Sequence, residues 1–374
     1  MYSIDAFAGT GALTLGLKQA GVIAAALIER DRHCCEALRR NARLLGLEGT
    51  TAILERDIRE VDFRPYRGID IVAGGPPCQP FSSGGQGRGQ QDPRDMFPEA
   101  IRAVRECRPK AFLFENVPGV LAPRHRDYLD HIIMQLQLPT VTAHSGESWQ
   151  SHAERLKACL DYGIAVPLQY EVHVLPLNAA DFGVAQSRKR VFILGFRSDL
   201  AASWAAPVPT HERPPRRVKG VCATPGVQVT MGNTRKTGGL RPWRSIRDVV
   251  HDLPAFGTSE AEALEHRFRS GARPYPGHTG SPYDGPSKTL KAGVHGVPGG
   301  ENMIAFGSEQ YRYMSIREAA RVQSFPDVYR FDLAWSRALR LLGNAVPVTL
   351  ATVVAHSVAE VLRSADARRQ DEAA

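Results

Sequence analysis

One cysteine, Cys78, stands in the segment whose residue types are best suited to chemistry. The residues from Gly74 to Ser82 read Gly-Gly-Pro-Pro-Cys-Gln-Pro-Phe-Ser. Prolines on both sides of the thiol fix the backbone and lower the entropy cost of holding the side chain in place. Because a cysteine thiolate is a strong nucleophile, the segment indicates covalent catalysis. A structural cysteine in a proline-rich turn would show the same pattern.

Charged residues stand directly beside two apolar runs later in the chain. Glu115 comes directly after the run Ala111 to Phe114, and the basic run from Gln186 to Arg190 comes directly before Val191 to Leu194. Short apolar runs of this kind predict buried strands. The strands would then fix a carboxylate and two arginines at the edge of a sheet. A capping glutamate and a solvated basic run are the alternative interpretations.

A glycine turn near the amino terminus predicts a nucleotide-binding unit. Tyr2 to Phe7 has the pattern of a strand, Ala8-Gly9-Thr10-Gly11 follows, and the next residues have helical spacing. Glycines let the backbone approach a ligand, and a helix amino terminus offers free N–H groups. Glu29 lies about twenty positions on, where an acidic residue binds ribose hydroxyls. Thr14 stands where the dinucleotide fingerprint has its third glycine, which favours another adenosine cofactor over NAD.

These segments together resemble the cytosine-C5 DNA methyltransferases of the prokaryotic modification type. The motifs follow in the family's order from residue 4 to about residue 355. Besides the cysteine segment, they are Phe-Ala-Gly-Thr-Gly at 7–11, Glu-Asn-Val-Pro-Gly at 115–119, Gln-x-Arg-x-Arg at 186–190 and Gly-Asn-Ala-Val-Pro at 343–347. Ser315 stands where the family usually has threonine and, with Glu318, predicts a helix capping box.

The resemblance implies methyl transfer from S-adenosylmethionine to C5 of cytosine in duplex DNA. In the family the cysteine, here Cys78, adds to C6, and Glu115 contacts N3 and the exocyclic amine. Arg188 and Arg190 face the active site, with Arg190 as the contact to O2. A base stacked in a duplex cannot reach a buried cysteine, so the target cytosine must flip out.

The resemblance also implies the cofactor site. Glu29 would bind the ribose, Arg30 would lie against the adenine face, and Asp57 and Ile58 would line the adenine edge. The full set of expected cofactor-binding residues is Phe7, Gly9, Thr10, Gly11, Leu13, Glu29, Arg30, Asp57, Ile58, Pro76, Asn344 and Val346.

The elements that must position these residues predict an α/β fold. We expect a Rossmann-like mixed sheet with helices on both faces, plus a smaller target-recognition domain. Residues 1–206 and 311–374 would form the catalytic, cofactor-binding domain, since the last helix, ending near Leu362, packs beside the first strand in the family. Residues 207–310, where proline and glycine become frequent, would form the recognition domain.

Several segments carry weaker expectations. The Gly-rich stretch after Ser82 predicts a lid over the target, with a solvated connector as the alternative. Residues 138–150 predict a surface insertion of no assigned function. The candidate DNA-facing groups are Arg235, Lys236, Arg267, Arg269, Arg273, His278, Lys288, Lys291 and His295.

Composition fits an anionic partner. The chain has 374 residues and a net charge of +8, which favours double-stranded DNA as the partner. Its six cysteines show no metal-ligand spacing, so we expect neither a metal site nor disulfides. Without a long apolar segment, we expect a cytoplasmic monomer of a prokaryotic or phage-infected cell, without membrane contact. We expect it to act alongside a restriction endonuclease of the same target site without forming a stable complex with it.

Two alternatives keep the same fold. One is an RNA cytosine-C5 methyltransferase, against which the long region between Gly195 and Arg312 argues. The other is a catalytically inactive DNA-binding relative, against which the intact Cys78, Glu115 and Arg190 argue. An NAD oxidoreductase would leave the proline-flanked cysteine unexplained.

Overall fold

The computed structural model describes most of the chain. The described residues are 1–47, 51–77, 95–200, 204–214, 239–276, 278–292, 300–307 and 310–373. Cys78 and the Gly-rich stretch after Ser82 lie outside them.

A seven-stranded mixed sheet forms the centre of the molecule. Its strands are β1 (Tyr2–Ala6), β2 (Ile23–Glu29), β3 (Ala52–Glu55), β4 (Ile71–Gly74), β5 (Ala111–Asn116), β6 (Tyr170–Asn178) and β7 (Lys189–Arg197). The order is β3-β2-β1-β4-β5-β7-β6. The first five strands run parallel, and β7 pairs antiparallel with both β5 and β6. The predicted mixed α/β sheet is thereby confirmed.

Helices cover both faces of the sheet. They are α1 (Ala12–Gln19), α2 (Arg32–Arg40), α3 (Ala42–Leu45), α4 (Phe97–Cys107), α5 (Arg126–Gln137), α6 (Trp149–Asp161), α7 (Arg247–Val250), α8 (Ser259–Ala263), α9 (Ile316–Val322), α10 (Trp335–Asn344) and α11 (Val348–Ala373). Apolar residues of α1 and α11 pack in one hydrophobic cluster, and those of α4 and α5 pack in the cluster on the opposite face.

The two ends of the chain meet on one face. Gly16 of α1 lies against Ala351 of α11, and a Cβ atom at Gly16 would stand 2.7 Å from the Ala351 carbonyl carbon. This contact needs a residue without a side chain, because two helix backbones approach so closely. The predicted return of the last helix to the first βα unit is therefore seen, with α1 rather than β1 as its main neighbour.

The last helix is longer than predicted. We expected it to end near Leu362 with a frayed tail, but α11 continues to Ala373. Two ion pairs anchor the extra turns: Lys110 contacts Asp366 at 2.9 Å, and Arg369 contacts Asp199 at 3.0 Å. The charged residues of the tail therefore have partners on the sheet domain, which the local sequence alone did not show.

The region 207–310 is built of short elements. It contains the strands β8 (His211–Glu212), β9 (Arg241–Pro242), β10 (Ser281–Pro282) and β11 (Met303–Ala305), and β12 (Tyr311–Tyr313) follows it. Ile246, Leu290 and Ile304 are buried in the same cluster as α1 and α11. The helix α7 in this region is a single turn.

One helical stretch among the described residues, Trp335–Asp371, has the length and apolar composition of a membrane span. Because 61% of its apolar window is buried inside the protein, it serves as a core element here. Helices in the core of a folded domain pass the same test.

Close strand packing at the end of β4 generates a first prediction. A Cβ atom at Gly74 would stand 1.9 Å from the carbonyl oxygen of Ala6, whereas one at Gly75 would meet nothing nearer than 3.4 Å. Gly74→Ala should therefore lower the free energy of unfolding by about 1–3 kcal/mol. The matched control Gly75→Ala should change it little. Chemical denaturation checks this, and equal stability of the two variants would contradict it.

Candidate active site

An ion pair stands at the edge of the sheet where β5 ends and β7 begins. Antiparallel pairing sets Asn116 opposite Val191, which brings the neighbouring Glu115 and Arg190 together. Arg190 Nε lies 2.6 Å from Glu115 Oε1, and both side chains are nearly buried. The N–H bond does not point along this line, so the contact is electrostatic rather than a directed hydrogen bond. Nη1 of Arg190 donates to the Lys189 carbonyl at 2.7 Å, which fixes the guanidinium.

The exit of β4 lies beside this pair. Gly75 has no side chain, and a Cβ there would already contact Glu115 Oε2 at 3.4 Å. The amide of Asn116 donates to the Pro76 carbonyl at 3.2 Å, so β5 holds the chain as it leaves β4. Cys78 follows two residues later, outside the described residues. The structure thus places the approach to the cysteine against the Glu115–Arg190 pair.

A cavity of about 410 Å³ opens at this edge. Most predicted site residues line it: Phe7, Gly9, Thr10, Leu13, Glu29, Arg30, Asp57, Ile58, Pro76, Glu115, Arg190, Asn344 and Val346. Gly11 and Arg188 do not. Gly11 instead precedes α1 with φ 75°, and a Cβ there would stand 2.8 Å from Leu38 Cδ2. Its role is in the turn and in helix packing.

Glu29 organises the floor of the cavity. Its Oε2 accepts a hydrogen bond from Gly9 N at 2.8 Å, and its Oε1 accepts from Arg30 N at 2.8 Å and Asp31 N at 2.7 Å. One carboxylate therefore joins the glycine turn to the loop after β2. A carboxylate has about four acceptor positions, and three are occupied here, so about one remains, on Oε2, for a ligand hydroxyl.

Asp57 presents an ionised carboxylate at the cavity. A bidentate contact from the Arg59 guanidinium, at 2.9 and 2.7 Å, lowers the pKa of Asp57 to about 2. Arg30 lies 3.7 Å away and adds a weaker attraction. At neutral pH Asp57 can therefore only accept hydrogen bonds, as a contact to an amino group requires.

The glycine turn is held from the far end of the chain. The buried Tyr329 hydroxyl donates to the Thr10 carbonyl at 2.7 Å. The Thr10 hydroxyl is buried, lines the cavity and has no hydrogen-bond partner among the described residues. Within the same part of the chain, no side chain caps the amino terminus of α1. The cavity thus offers unsatisfied donors at the point where a polar ligand would meet the helix.

Arg188 is fully buried and joins three segments. It donates to the carbonyls of Leu290 at 2.8 Å, Gly343 at 2.6 Å and Ala345 at 2.9 Å. Arg188 itself does not line the cavity, whereas Gly343 and Ala345, whose carbonyls it binds, do. In this arrangement Arg188 connects the region 207–310 to the end of α10, which carries Asn344.

Sequence reasoning missed several lining residues: His33, Cys34, Arg56, Met96, Val117, Arg337 and Arg340. Arg337, Arg340 and Asn344 recur at helical spacing, a signal that could have revealed one face of α10. Burial raises the pKa of the Cys34 thiol far above its usual value, so this cysteine stays protonated. Among the described residues, no group of three or more His, Cys, Asp or Glu could hold a metal ion.

The candidate DNA-facing residues differ in their surroundings. Arg235, Lys236 and His295 lie outside the described residues. The others, with their contacts, are Arg267 beside Glu262, Arg269 over the Trp335 ring, Lys288 on Thr279, Lys291 and His278 on Glu301, and the exposed Arg273. Lys291 and His278 thus share one carboxylate, which fixes both side chains at one place on the region 207–310.

The hydrogen bonds of Glu29 generate a second prediction. Glu29→Ala removes the acceptor for a ribose diol and also releases the Gly9 amide. We expect S-adenosylmethionine binding to weaken by about 1–3 kcal/mol. Glu55→Ala is the matched control, since Glu55 ends the neighbouring strand and lies outside the cavity. Titration calorimetry measures both, and unchanged affinity in Glu29→Ala would remove Glu29 from the site.

Comparison with known proteins gives the same assignment along the whole chain. The model of the family described as C-5 cytosine-specific DNA methylase matches residues 1–138 and 166–360. The Type II methyltransferase M.FnuDI of Fusobacterium nucleatum is 30% identical over 382 residues, covering 97% of this chain and 95% of the relative. M.NgoPII of Neisseria gonorrhoeae is 30% identical over 370 residues, with 97% and 96% covered.

Solved structures agree at the level of the fold. A DNA modification methyltransferase encoded within a prophage (E. coli) superposes with a TM-score of 0.61 at 19% identity, covering 97% of this chain and 99% of that one. A Spodoptera frugiperda DNMT2 mutant gives 0.58 at 15% identity, with 96% and 99% covered. Since the matched family spans both the sheet and the residues around the cavity, the chain belongs to the C-5 cytosine-specific DNA methylases and is a DNA cytosine methyltransferase.

Proposed function

We propose that this enzyme transfers a methyl group from S-adenosylmethionine to C5 of a flipped cytosine in a specific short sequence of duplex DNA, with Cys78 as the nucleophile. The observation that carries the proposal is the Glu115–Arg190 pair, which borders the same cavity as Glu29 and Asp57. A group that recognises a base and a group that binds an adenosine cofactor therefore face one space.

The cavity fits S-adenosylmethionine in its polar groups. Glu29 would offer its remaining acceptor position to a ribose hydroxyl, and Asp57 would accept from the adenine amine. The unpartnered hydroxyl of Thr10 and the uncapped amino terminus of α1 suit the charged methionine end. Arg30, Ile58, Pro76, Asn344 and Val346 would complete the walls. When bound, the cofactor supplies an electrophilic methyl group on a sulfonium centre.

The burial of Glu115 and Arg190 requires the target base to leave the duplex. Their side chains are 13% and 7% exposed, so a stacked cytosine could not reach them. In the extruded base, N3 would meet Glu115 and O2 would meet Arg190. The two protein groups already contact each other, so the base would enter beside an existing ion pair whose orientation is fixed before binding.

The chemistry follows from these contacts. The Cys78 sulfur forms a bond to C6, and the electron pair of the C5–C6 double bond moves into the ring. Glu115 delivers a proton to N3, while Arg190 offsets negative charge at O2. C5 of the resulting enamine would take the methyl group that the bound cofactor supplies, and the sulfonium carbon–sulfur bond would break with its electron pair left on the sulfur. Loss of the C5 proton to a base would then restore the C5–C6 double bond as the Cys78 sulfur leaves C6 as a thiolate, and N3 would return its proton to Glu115.

Arg188 has a positioning role in this proposal. Its three carbonyl contacts hold the end of α10, which carries Asn344, against the stretch of chain that contains Leu290. A charged donor to three carbonyls is stronger than a neutral one, and its burial makes the arrangement costly to break. We infer that Arg188 sets the distance between the cofactor wall and the region 207–310, and makes no contact with the base.

We assign target recognition to residues 207–310 and catalysis to residues 1–206 and 311–374. Lys291 and His278 belong to the side chains that could meet DNA there. The relatives M.FnuDI and M.NgoPII are Type II methyltransferases, which supports action beside a restriction endonuclease of the same site. We further propose that the enzyme acts as a monomer in the cytoplasm of a prokaryotic or phage-infected cell.

The nucleophile assignment generates a third prediction. Duplex DNA with 5-fluorocytosine at the target should form a covalent adduct, because fluorine cannot leave C5 as a cation. Cys78→Ala should abolish both the adduct and turnover, whereas Cys159→Ala on α6 should retain both. Denaturing gel electrophoresis of the complex detects the adduct. Turnover by Cys78→Ala at the native rate would refute the assignment.

The division of labour generates a fourth prediction. Replacing residues 207–310 with the corresponding segment of a relative that methylates another site should transfer that relative's sequence preference. A lost base-reading arginine should cost about 1–3 kcal/mol on the target site and relax choice at one position. Sequencing of methylated DNA gives the preference. An active chimaera that keeps the original target would place recognition in the catalytic domain. Separately, a native enzyme that methylates RNA in preference to duplex DNA would favour the RNA alternative.

A further inference from the structure

The segment 139–165 lies between the two parts of the chain that match the family model. It nevertheless has a defined structure of its own. Ser148 caps α6 by accepting from Ser151 N at 3.1 Å, and Arg155 pairs with Glu147 at 2.7 Å. The segment follows α5 directly, and its helix packs on α5. We refer to residues 139–165 as the inserted segment.

A cluster of aromatic rings joins the inserted segment to α5. Trp149 lies edge-on to Tyr128 with ring centroids 6.5 Å apart, and 5.7 Å from His131. His152 contacts His131 through ring nitrogens 3.1 Å apart and the Val141 carbonyl at 2.9 Å. Burial lowers the pKa of His131 to about 4, so His131 is uncharged at neutral pH and can share one hydrogen bond with His152. The cluster is therefore a packed contact between α5 and the inserted segment.

Tyr128 connects this cluster to the catalytic edge of the molecule. Its hydroxyl donates to the Asp95 carboxylate, whose other oxygen accepts from Phe97 N at 3.1 Å at the start of α4. Burial raises the pKa of the Tyr128 phenol well above its usual range, so the hydroxyl keeps its proton. Met96, between Asp95 and Phe97, lines the cavity. The chain is thus fixed at the point where it emerges from the segment that began with Cys78.

We propose that the inserted segment positions the catalytic site of this enzyme, with Trp149 orienting Tyr128 and Tyr128 holding Asp95 at the start of α4. Asn116 holds the chain before Cys78, at Pro76, and Tyr128 holds it again at Asp95. A misplaced nucleophile reacts much more slowly, so holding the chain at a second point, Asp95, should raise the rate of the reaction. Tyr128 and Trp149 act through Asp95 and are positioning residues.

The test compares pairs of matched variants. Tyr128→Phe deletes the hydroxyl on Asp95, and Tyr170→Phe deletes an equally buried hydroxyl that donates to the Pro109 carbonyl at 2.7 Å, away from the cavity. Trp149→Ala removes the ring on Tyr128, Trp149→Phe retains an aromatic ring, and Arg155→Met breaks an ion pair that lies within the inserted segment. Each variant is measured for denaturation midpoint, S-adenosylmethionine and duplex affinity, and rate of adduct formation with 5-fluorocytosine duplex.

We expect Tyr128→Phe and Trp149→Ala to slow adduct formation by about tenfold with affinities within about twofold. Trp149→Phe should restore most of the rate. Tyr170→Phe and Arg155→Met should keep the native rate even where their denaturation midpoints fall. Adduct formation at the native rate in Tyr128→Phe, or slowing in all variants in proportion to lost stability, would overturn the proposal. The inference rests on the proposed role of Cys78, and absence of any adduct in the native enzyme would count against that role instead.

Discussion

The ion pair between Glu115 and Arg190 is the contact on which the site depends. Its partners come from strands that run in opposite directions, so their meeting requires the antiparallel pairing of β5 with β7. Arg190 stands near the start of β7, and in a fully parallel sheet the start of a strand would lie at the edge opposite Glu115. The reversed strand therefore brings Arg190 to the edge where the parallel strands end, beside Glu115 and the approach to Cys78. Burial of both groups then favours a base that has left the helix.

The cavity around this pair is closed from both ends of the chain. The glycine turn comes from the first fifteen residues, and Asn344 comes from the last forty, so neither end forms the site alone. Tyr329 holds the turn through the Thr10 carbonyl, and Arg188 holds the end of α10, where Asn344 lies. These hydrogen bonds span more than 150 residues of sequence; the one from Tyr329 is buried and those from Arg188 are partly buried. Cofactor binding and the assembly of the fold are therefore expected to be coupled.

Features of the structure that depend only on neighbouring residues were predicted from the sequence. The strand that begins at Tyr2 and the capping box of Ser315 with Glu318 both agree with the structure, since each depends on neighbouring residues. Most of the residues that the family motifs implied line the cavity, whereas other lining residues, such as Arg337 and Arg340, were not predicted. The role of Arg188 could not be predicted, because its carbonyl partners lie more than 100 residues away in sequence. The same is true of Tyr128, whose partner Asp95 is brought to it only by the packing of α4 on α5.

The central claim is that this chain methylates C5 of cytosine in duplex DNA. The most direct measurement incubates the native protein with duplex DNA and S-adenosylmethionine carrying a deuterated methyl group, with RNA in a parallel reaction. The DNA and RNA are then digested to nucleosides, which are separated and identified by their masses in a mass spectrometer. We predict that the label appears in 5-methyl-2′-deoxycytidine from the duplex. Label on the exocyclic amine of cytosine, or in the RNA alone, would contradict the account.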